Sequence, residues 1–209
     1  MKAYIRIKHT GEFYDPSCYY AYTGCRELEI PVVKYKAVYS LTDNEPDDPV
    51  VGTVSDVKVA LERFGVKLVP LDYPDELLPF TGRKIWKSTL FTITSHPEDW
   101  HVFVKPVEDI KRFHGTVLDK SEDLIKLGGG LEDIDVWCSE KVHFISEWRL
   151  WVLHGEIQGL NPYKGRWDVF PDVKVLRESV KAYKSAPAGY AIDFGVTEEG
   201  RTLLVEVVK

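Results

Sequence analysis

The chain is short of cysteine, of positive charge and of long apolar runs, and each shortage excludes a class of protein. Only three cysteines, Cys18, Cys25 and Cys138, occur in 209 residues. They form neither a paired framework nor a CxxC metal spacing, so free thiols in a reducing compartment are expected. The formal net charge is -6 at pH 7, which argues against a protein that coats nucleic acid. No segment approaches the roughly 18 apolar residues of a membrane span, and MKAYIRIKHTGEF lacks the apolar run of a secretory signal. The expectation is a cytoplasmic protein with neither a membrane nor a nucleic acid as partner.

What is present reads as folded protein. Hydrophobic residues make up 44% and charged residues 29% of the chain, a balance that supports packed lobes rather than disorder. Strands are expected at 3–7 (AYIRI) and 30–39 (IPVVKYKAVY), with an unassigned segment rich in Tyr and Cys between them. In VSDVKVALERFG the residues Val54, Val57, Leu61 and Phe64 recur at helical spacing, and Gly65 stops the run. A short strand, VKLVPL, and the proline-marked DYPDELLPF follow, so residues 1–78 read as an αβ lobe. Residues 79–135 form a second unit, holding the basic TGRKIWKSTL, the strand HVFVKPV, the strand-like FHGTVL and the glycine-rich LGGGLEDID. Residues 136–209 form a third, with a long hairpin around His154–Gly155, a helix over 173–184 and a closing hairpin.

Two features carry chemistry. The apolar run of HVFVKPV ends on Lys105; a lysine there either snorkels to water or delivers a cation to something negative. In the closing hairpin, a turn centred on Glu199 and Gly200 opposes Asp193 to Glu206. The same register pairs Ile192 with Val207, Phe194 with Val205 and Val196 with Leu203, which makes the other face apolar. Opposed like charges repel across roughly 5 Å. A magnesium ion with open positions for phosphate oxygens would relieve that repulsion; a solvated acidic face is the alternative. Small Ala191 and Gly195 leave room beside Asp193.

RKIWKSTL, VFVKPVEDIKRFHGTV, VWCSEKVHFISEWRLWVLHGEIQG and YAIDFGVTEEGRTLLVEVV, in this order, resemble the ATP-grasp superfamily, within it the stand-alone clade named for conserved arginine and lysine residues. The resemblance implies an α+β fold in which two lobes clamp ATP, preceded by a small Rossmann-like αβ lobe. It implies a ligase that uses ATP and Mg2+ to join a carboxylate to an amine through an acylphosphate, with a peptide, protein terminus or amino acid as acceptor. By the same resemblance Lys105 binds ATP phosphate, helped by Lys84 or Lys87 and by Lys111. Cys138, Ser139 and Glu140 meet adenine through backbone groups, Glu147 binds the ribose, and Asp193 and Glu206 hold Mg2+. Arg149 shares a strand face with Glu147 through period-two alternation and suits a phosphate or carboxylate.

The pattern departs from the family at Val208, where an amide residue is usual two positions after the glutamate; either metal binding is weakened by the loss of that ligand, or another residue such as Asn161 substitutes. Arg83 and Arg166 are candidates for substrate contact, each weighed against surface charge. The run Gly128–Gly130 has no following G-K-[ST] and reads as a connection. Two other readings stay open: a nucleotide-binding module without catalysis, and a protein that recognises a partner through Tyr14, Tyr19, Tyr20 and Tyr22.

Overall fold

The computed structural model describes residues 1–107, 113–127 and 132–208. Lys111 and the Gly128–Gly130 run lie outside the described residues. The chain divides into two compact units, Met1–Val69 and Pro70–Lys209.

In the first unit, strands β1 (Ala3–Arg6), β2 (Val32–Tyr35) and β3 (Val50–Val51) form a parallel sheet in the order β2-β1-β3. The segment left unassigned from sequence is helix α1 (Pro16–Glu27). Asp15 caps it by accepting the Cys18 amide at 2.9 Å, and Pro16 occupies its first turn. Strand β2 is shorter than expected because 38–40 turn into a single 3-10 coil. Helix α2 (Val54–Glu62) forms where periodicity placed it, but a different side is buried. Asp56 and Ala60 are enclosed, whereas Val54 and Phe64 are exposed. The carboxylate is tolerated inside because it is fully bonded: Asp56 closes a capping box with Thr53 and takes Arg6 Nη1 at 2.5 Å. Residues 66–71 form no strand.

The second unit holds two four-stranded antiparallel sheets. The first joins β4 (Ile85–Thr89), β5 (Val102–Pro106), β6 (Thr116–Leu118) and β7 (Asp135–Glu140) in the order β4-β7-β5-β6. Its covered face packs Val104, Val136 and Cys138 against Leu90 and Ile93 of the short helix α3 (Leu90–Ser95). The position 135/136, where the third unit was expected to begin, falls at the start of β7, a strand of this first sheet.

The second sheet joins β8 (Phe144–Leu153), β9 (Glu156–Gly165), β10 (Gly189–Thr197) and β11 (Thr202–Val208) in the order β11-β10-β8-β9. Leu150, Val152, Ile192, Phe194 and Leu204 pack against Leu176 and Tyr183, within and just beyond helix α4 (Val173–Ala182). Val173, the first residue of α4, is exposed. The β8–β9 turn has positive φ at both His154 and Gly155, the conformation a two-residue hairpin turn needs to follow strand twist.

The closing hairpin reaches the expected opposition of Asp193 and Glu206 by another route. Gly200 is left-handed and the turn spans 197–201, so Val196 meets Thr202, Gly195 meets Leu203 and Phe194 meets Leu204. A bulge at Val205 then restores the register at Asp193↔Glu206 and Ile192↔Val207. The pairs Phe194–Val205 and Val196–Leu203 are not made.

Candidate functional site

One transverse row crosses the whole second sheet. Asp193 lies between Glu206 on β11 and Arg149 on β8, and Arg149 lies opposite Asn161 on β9. From Ser146 to Leu153 strand β8 stays regular against β10, and its burial alternates: Ser146, Trp148, Leu150 and Val152 are enclosed, while Glu147, Arg149, Trp151 and Leu153 face outward. Arg149 grips both oxygens of Asp193, Nε to Oδ1 and Nη2 to Oδ2, each at 2.7 Å. The Asp193 side chain is only 2% exposed and Arg149 23%, so the carboxylate is the desolvated member of the pair. The two hydrogen bonds to Asp193 hold the Arg149 guanidinium above its ordinary pKa against the opposing effect of burial. Its cation also stacks 4.5 Å from the Tyr163 ring centroid.

The first sheet offers a second row. Trp137 on β7 lies between Lys87 on β4 and Lys105 on β5, all on the face opposite the core. Lys87 Nζ sits 4.7 Å from the Trp137 ring centroid. Lys84 stacks instead on Trp86, a residue packed against the covered core, so Lys87 is the one that shares a face with Lys105.

The rows meet at Lys105. Its Nζ donates to Glu206 Oε2 and to Asp72 Oδ1, each at 2.5 Å, and lies 4.8 Å from the Tyr73 ring centroid. Burial, the largest influence, works against the ammonium, but Tyr73, Glu206 and Asp72 outweigh it, and its pKa is raised. Burial likewise pushes the Tyr73 hydroxyl up, with Lys105 and Arg83 pulling the other way.

Asp72 was not anticipated from sequence. It has positive φ, accepts Trp137 Nε1 on Oδ2 at 3.0 Å, and its carbonyl accepts the Val207 amide at 2.8 Å. Nothing in DYPDELLPF marks it, because its role depends on three strands remote in sequence. Trp137, also missed, becomes legible once β7 is known to alternate core residues Val136 and Cys138 with outward Trp137 and Ser139.

The donor chemistry of Asp193 and Glu206 suits a divalent cation, since both are hard carboxylate oxygens on adjacent strands. Around them three acids (Asp72, Asp193, Glu206) face two cations (Lys105, Arg149), and both proposed ligands are engaged by those cations. Among the described residues no group of three or more His, Cys, Asp or Glu stands preassembled for a metal. Asn161 accepts Trp151 Nε1 at 3.0 Å and is separated from Asp193 by Arg149 in the row.

Cys138 and Ser139 are buried in β7, which pairs with β4 on one side and β5 on the other. Burial raises the Cys138 thiol to about 11. The backbone of these two residues belongs to the sheet, and the link between the two sheets that lies outside any strand is 141–143. Glu140 ends β7, its Oε2 accepting the Lys84 amide at 2.8 Å. Glu147 accepts Lys164 Nζ at 3.3 Å and faces the same side as Arg149.

Arg83, a candidate for substrate contact, has protein partners for its guanidinium. It is turned inward, donating to the Leu204 carbonyl at 2.8 Å and the Val205 carbonyl at 3.1 Å, and so holds the β11 bulge. Arg166 pairs with Asp168 at 2.7 Å in solvent.

Two lobes of antiparallel sheet joined by a short link, with lysines on one and an acid-arginine row on the other, agree with residues 80–209 matching the ATP-grasp domain, R2K clade family 2. The chain belongs to this ATP-grasp family. No curated protein sequence matches it. Solved ATP-grasp-type structures share the fold over nearly the whole chain at low identity. D-alanine–D-alanine ligase from Bacillus anthracis superposes with a TM-score of 0.61 at 12% identity, covering 100% of this chain and 86% of that one. The macrocyclase MdnC from Microcystis aeruginosa MRC, solved with its precursor peptide MdnA, gives 0.53 at 11% identity, over 99% and 90% of the two chains. An L-amino acid ligase from Bacillus licheniformis gives 0.56 at 10% identity, over 99% and 67%. The Bacillus anthracis ligase has also been solved with ATP. Among the described residues no helix is long and apolar enough to cross a membrane.

Proposed function

We propose that this ATP-grasp protein is a ligase that uses ATP and Mg2+ to join a carboxylate to an amine through an acylphosphate. The observation that carries the reading is the convergence of Lys105 with the Glu206–Asp193–Arg149 row, two cations and two acids drawn from four strands of two sheets. Family membership and the ligases that share the fold support it. The expected domain limits of 1–78, 79–135 and 136–209 would then separate the leading lobe from the two halves of the clamp, with β7 crossing from one half toward the other.

In this reading 141–143 and Glu140 lie against adenine, Glu147 takes the ribose, and Lys87, Lys105 and Arg149 take the phosphates. Phosphate oxygens compete with Asp72 and Glu206 for Lys105, and with Asp193 for Arg149. Asp193 and Glu206, once released, would hold Mg2+, which supplies charge neutralisation on the phosphate oxygens when bound. Lys105 and Arg149 stabilise the negative charge as the γ-phosphoryl group passes to the substrate carboxylate. The amine then attacks the acyl carbon and phosphate leaves. The power of the site lies in positioning rather than in a nucleophile of its own. The amine or carboxylate is carried by an amino acid, peptide or protein terminus, as the peptide-bound relative suggests.

Hydroxylamine substitutes for the amine and traps an acylphosphate as a hydroxamate. Wild-type protein with Mg·ATP and a panel of carboxylates is expected to release ADP and form hydroxamate, with Lys105→Ala reducing both roughly 100-fold or more. The complete engagement of Asp193 by Arg149 favours a second reading, a nucleotide-binding module without turnover. ATP binding without hydroxamate from any carboxylate would establish that second reading.

A further inference from the structure

We infer that the open face of the second sheet, one row beyond Arg149, is a subsite for the side chain of the carboxylate substrate, and that this side chain is aromatic or branched aliphatic. The inference rests on the ligase reading for the identity of its occupant. Two residues past the charged row, the register places Val208, Ala191, Trp151 and Gly159 side by side across all four strands. Gly189, Leu153 and the terminal Glu156 of β9 follow in the next row. The exposed face of an antiparallel sheet is ordinarily polar. Here the row just beyond Arg149 is apolar on all four strands, with Trp151 46% exposed and Leu153 of the following row 47% exposed.

The row is built as a floor. The Trp151 indole is tethered by its Nε1–H to Asn161 Oδ1 at 3.0 Å, so the ring is held rather than free to turn. Its strand neighbours are small: a Cβ added at Gly159 would meet nothing nearer than 4.0 Å, and one at Gly189 only Leu153 Cδ1 at 3.7 Å. Successive same-face residues are about 7 Å apart along a strand, so a carboxylate delivered beside Arg149 places its own side chain over Trp151. The cation at one end suits the acid and the apolar row suits the substituent. The free edge of β9 is a poorer place for a peptide to add as a strand. It carries Pro162 and two bulges, which blunt edge pairing.

The test is direct binding, which needs no turnover. N-acetyl-phenylalanine, N-acetyl-leucine, N-acetyl-glycine and N-acetyl-glutamate are titrated by calorimetry into protein holding Mg·AMPPNP, using wild type, Trp151→Ala and Leu153→Asn. The phenylalanine and leucine derivatives should bind about tenfold tighter than the other two. Either substitution should erase that preference while nucleotide affinity stays unchanged. Equal binding of the four acids, or a preference that survives both substitutions, overturns the subsite. So does concentration-dependent self-association that Trp151→Ala abolishes, since it would give the row to a second copy of the chain. Hydroxamate assays on the same samples separate the two proposals. Equal hydroxamate yield from all four acids keeps the ligase and removes the subsite, whereas selective binding without hydroxamate keeps the subsite and removes the ligase.

Discussion

The two sheets of the second unit have the same strand count and the same antiparallel build, yet they satisfy their central cation differently. Arg149 finds its carboxylate on the neighbouring strand of its own sheet, as a cross-strand pair with Asp193. Among the described residues Lys105 has no acid beside it in its sheet, where its neighbour in register is Trp137, and it reaches outside for Asp72 and Glu206. An in-sheet pair is fixed by backbone register, whereas an out-of-sheet pair exists only if separate pieces of chain come to rest in contact. Glu206 is the point where the two arrangements meet, because it belongs to the row of one and bonds the cation of the other.

Four measurements would break or sharpen this contrast. The largest effect is expected for Asp193→Ala, which removes both hydrogen bonds of the bidentate pair and leaves the partly buried Arg149 without its carboxylate; urea denaturation should show a loss of about 3 kcal/mol. Arg149→Met combined with Asp193→Leu should recover most of that loss. A cost near zero for the single change would mean that the pair behaves like a surface ion pair.

Lys105→Met should cost less, about 1–2 kcal/mol, because Glu206, 31% exposed, can turn to water once the cation is gone. A loss as large as that of Asp193→Ala would show that the out-of-sheet network is as closed as the in-sheet one.

Alkaline pH should then dissolve one arrangement before the other. The Lys105 pKa is raised in the fold, so its stabilisation is fully present below the ordinary lysine value of about 10.4 and is lost as pH rises through the higher native value. The stability gap between wild type and Lys105→Met should therefore be constant up to about pH 10 and narrow above it. The gap between wild type and Asp193→Ala should persist there, because the Arg149 pKa is also raised, from a far higher starting point.

The smallest change is expected for Trp137→Phe. It removes only the indole donor to Asp72, at a cost of about 1 kcal/mol, and should weaken nucleotide binding more than it lowers the denaturation midpoint.

The contrast also marks where the sequence could be read. Alternation along the strand set Glu147 and Arg149 on one face, and the two acids of the last hairpin were expected opposite one another. Both statements need only period two and a turn. The neighbouring pairs Phe194–Val205 and Val196–Leu203 were misplaced, because a left-handed Gly200 and a bulge at Val205 shift the ladder by one residue and back again. Periodicity has no signal for a bulge whose freed carbonyls are held by Arg83, 121 and 122 positions away. The same blindness left Arg83 a candidate for substrate contact weighed only against surface charge.

In the first unit, helical spacing found α2 but chose the wrong side, because Asp56 is buried by a cap and an arginine rather than by hydrophobicity. The tyrosine-rich segment hid α1, since aromatic residues with exposed rings give no clear apolar stripe.

What the sequence determined by itself is therefore local: which residues alternate, where strands and helices start, and that a lysine and two acids are carried by hairpin strands. Backbone geometry repeats every two or 3.6 residues, and that repetition is printed in the order of side chains. Only the tertiary structure decided that Lys105 would lie against both Asp72 and Glu206, that Lys87 rather than Lys84 would share its face, and that an apolar row would adjoin Arg149. Those are distances between segments far apart in the chain, set by how two sheets and their cores pack together.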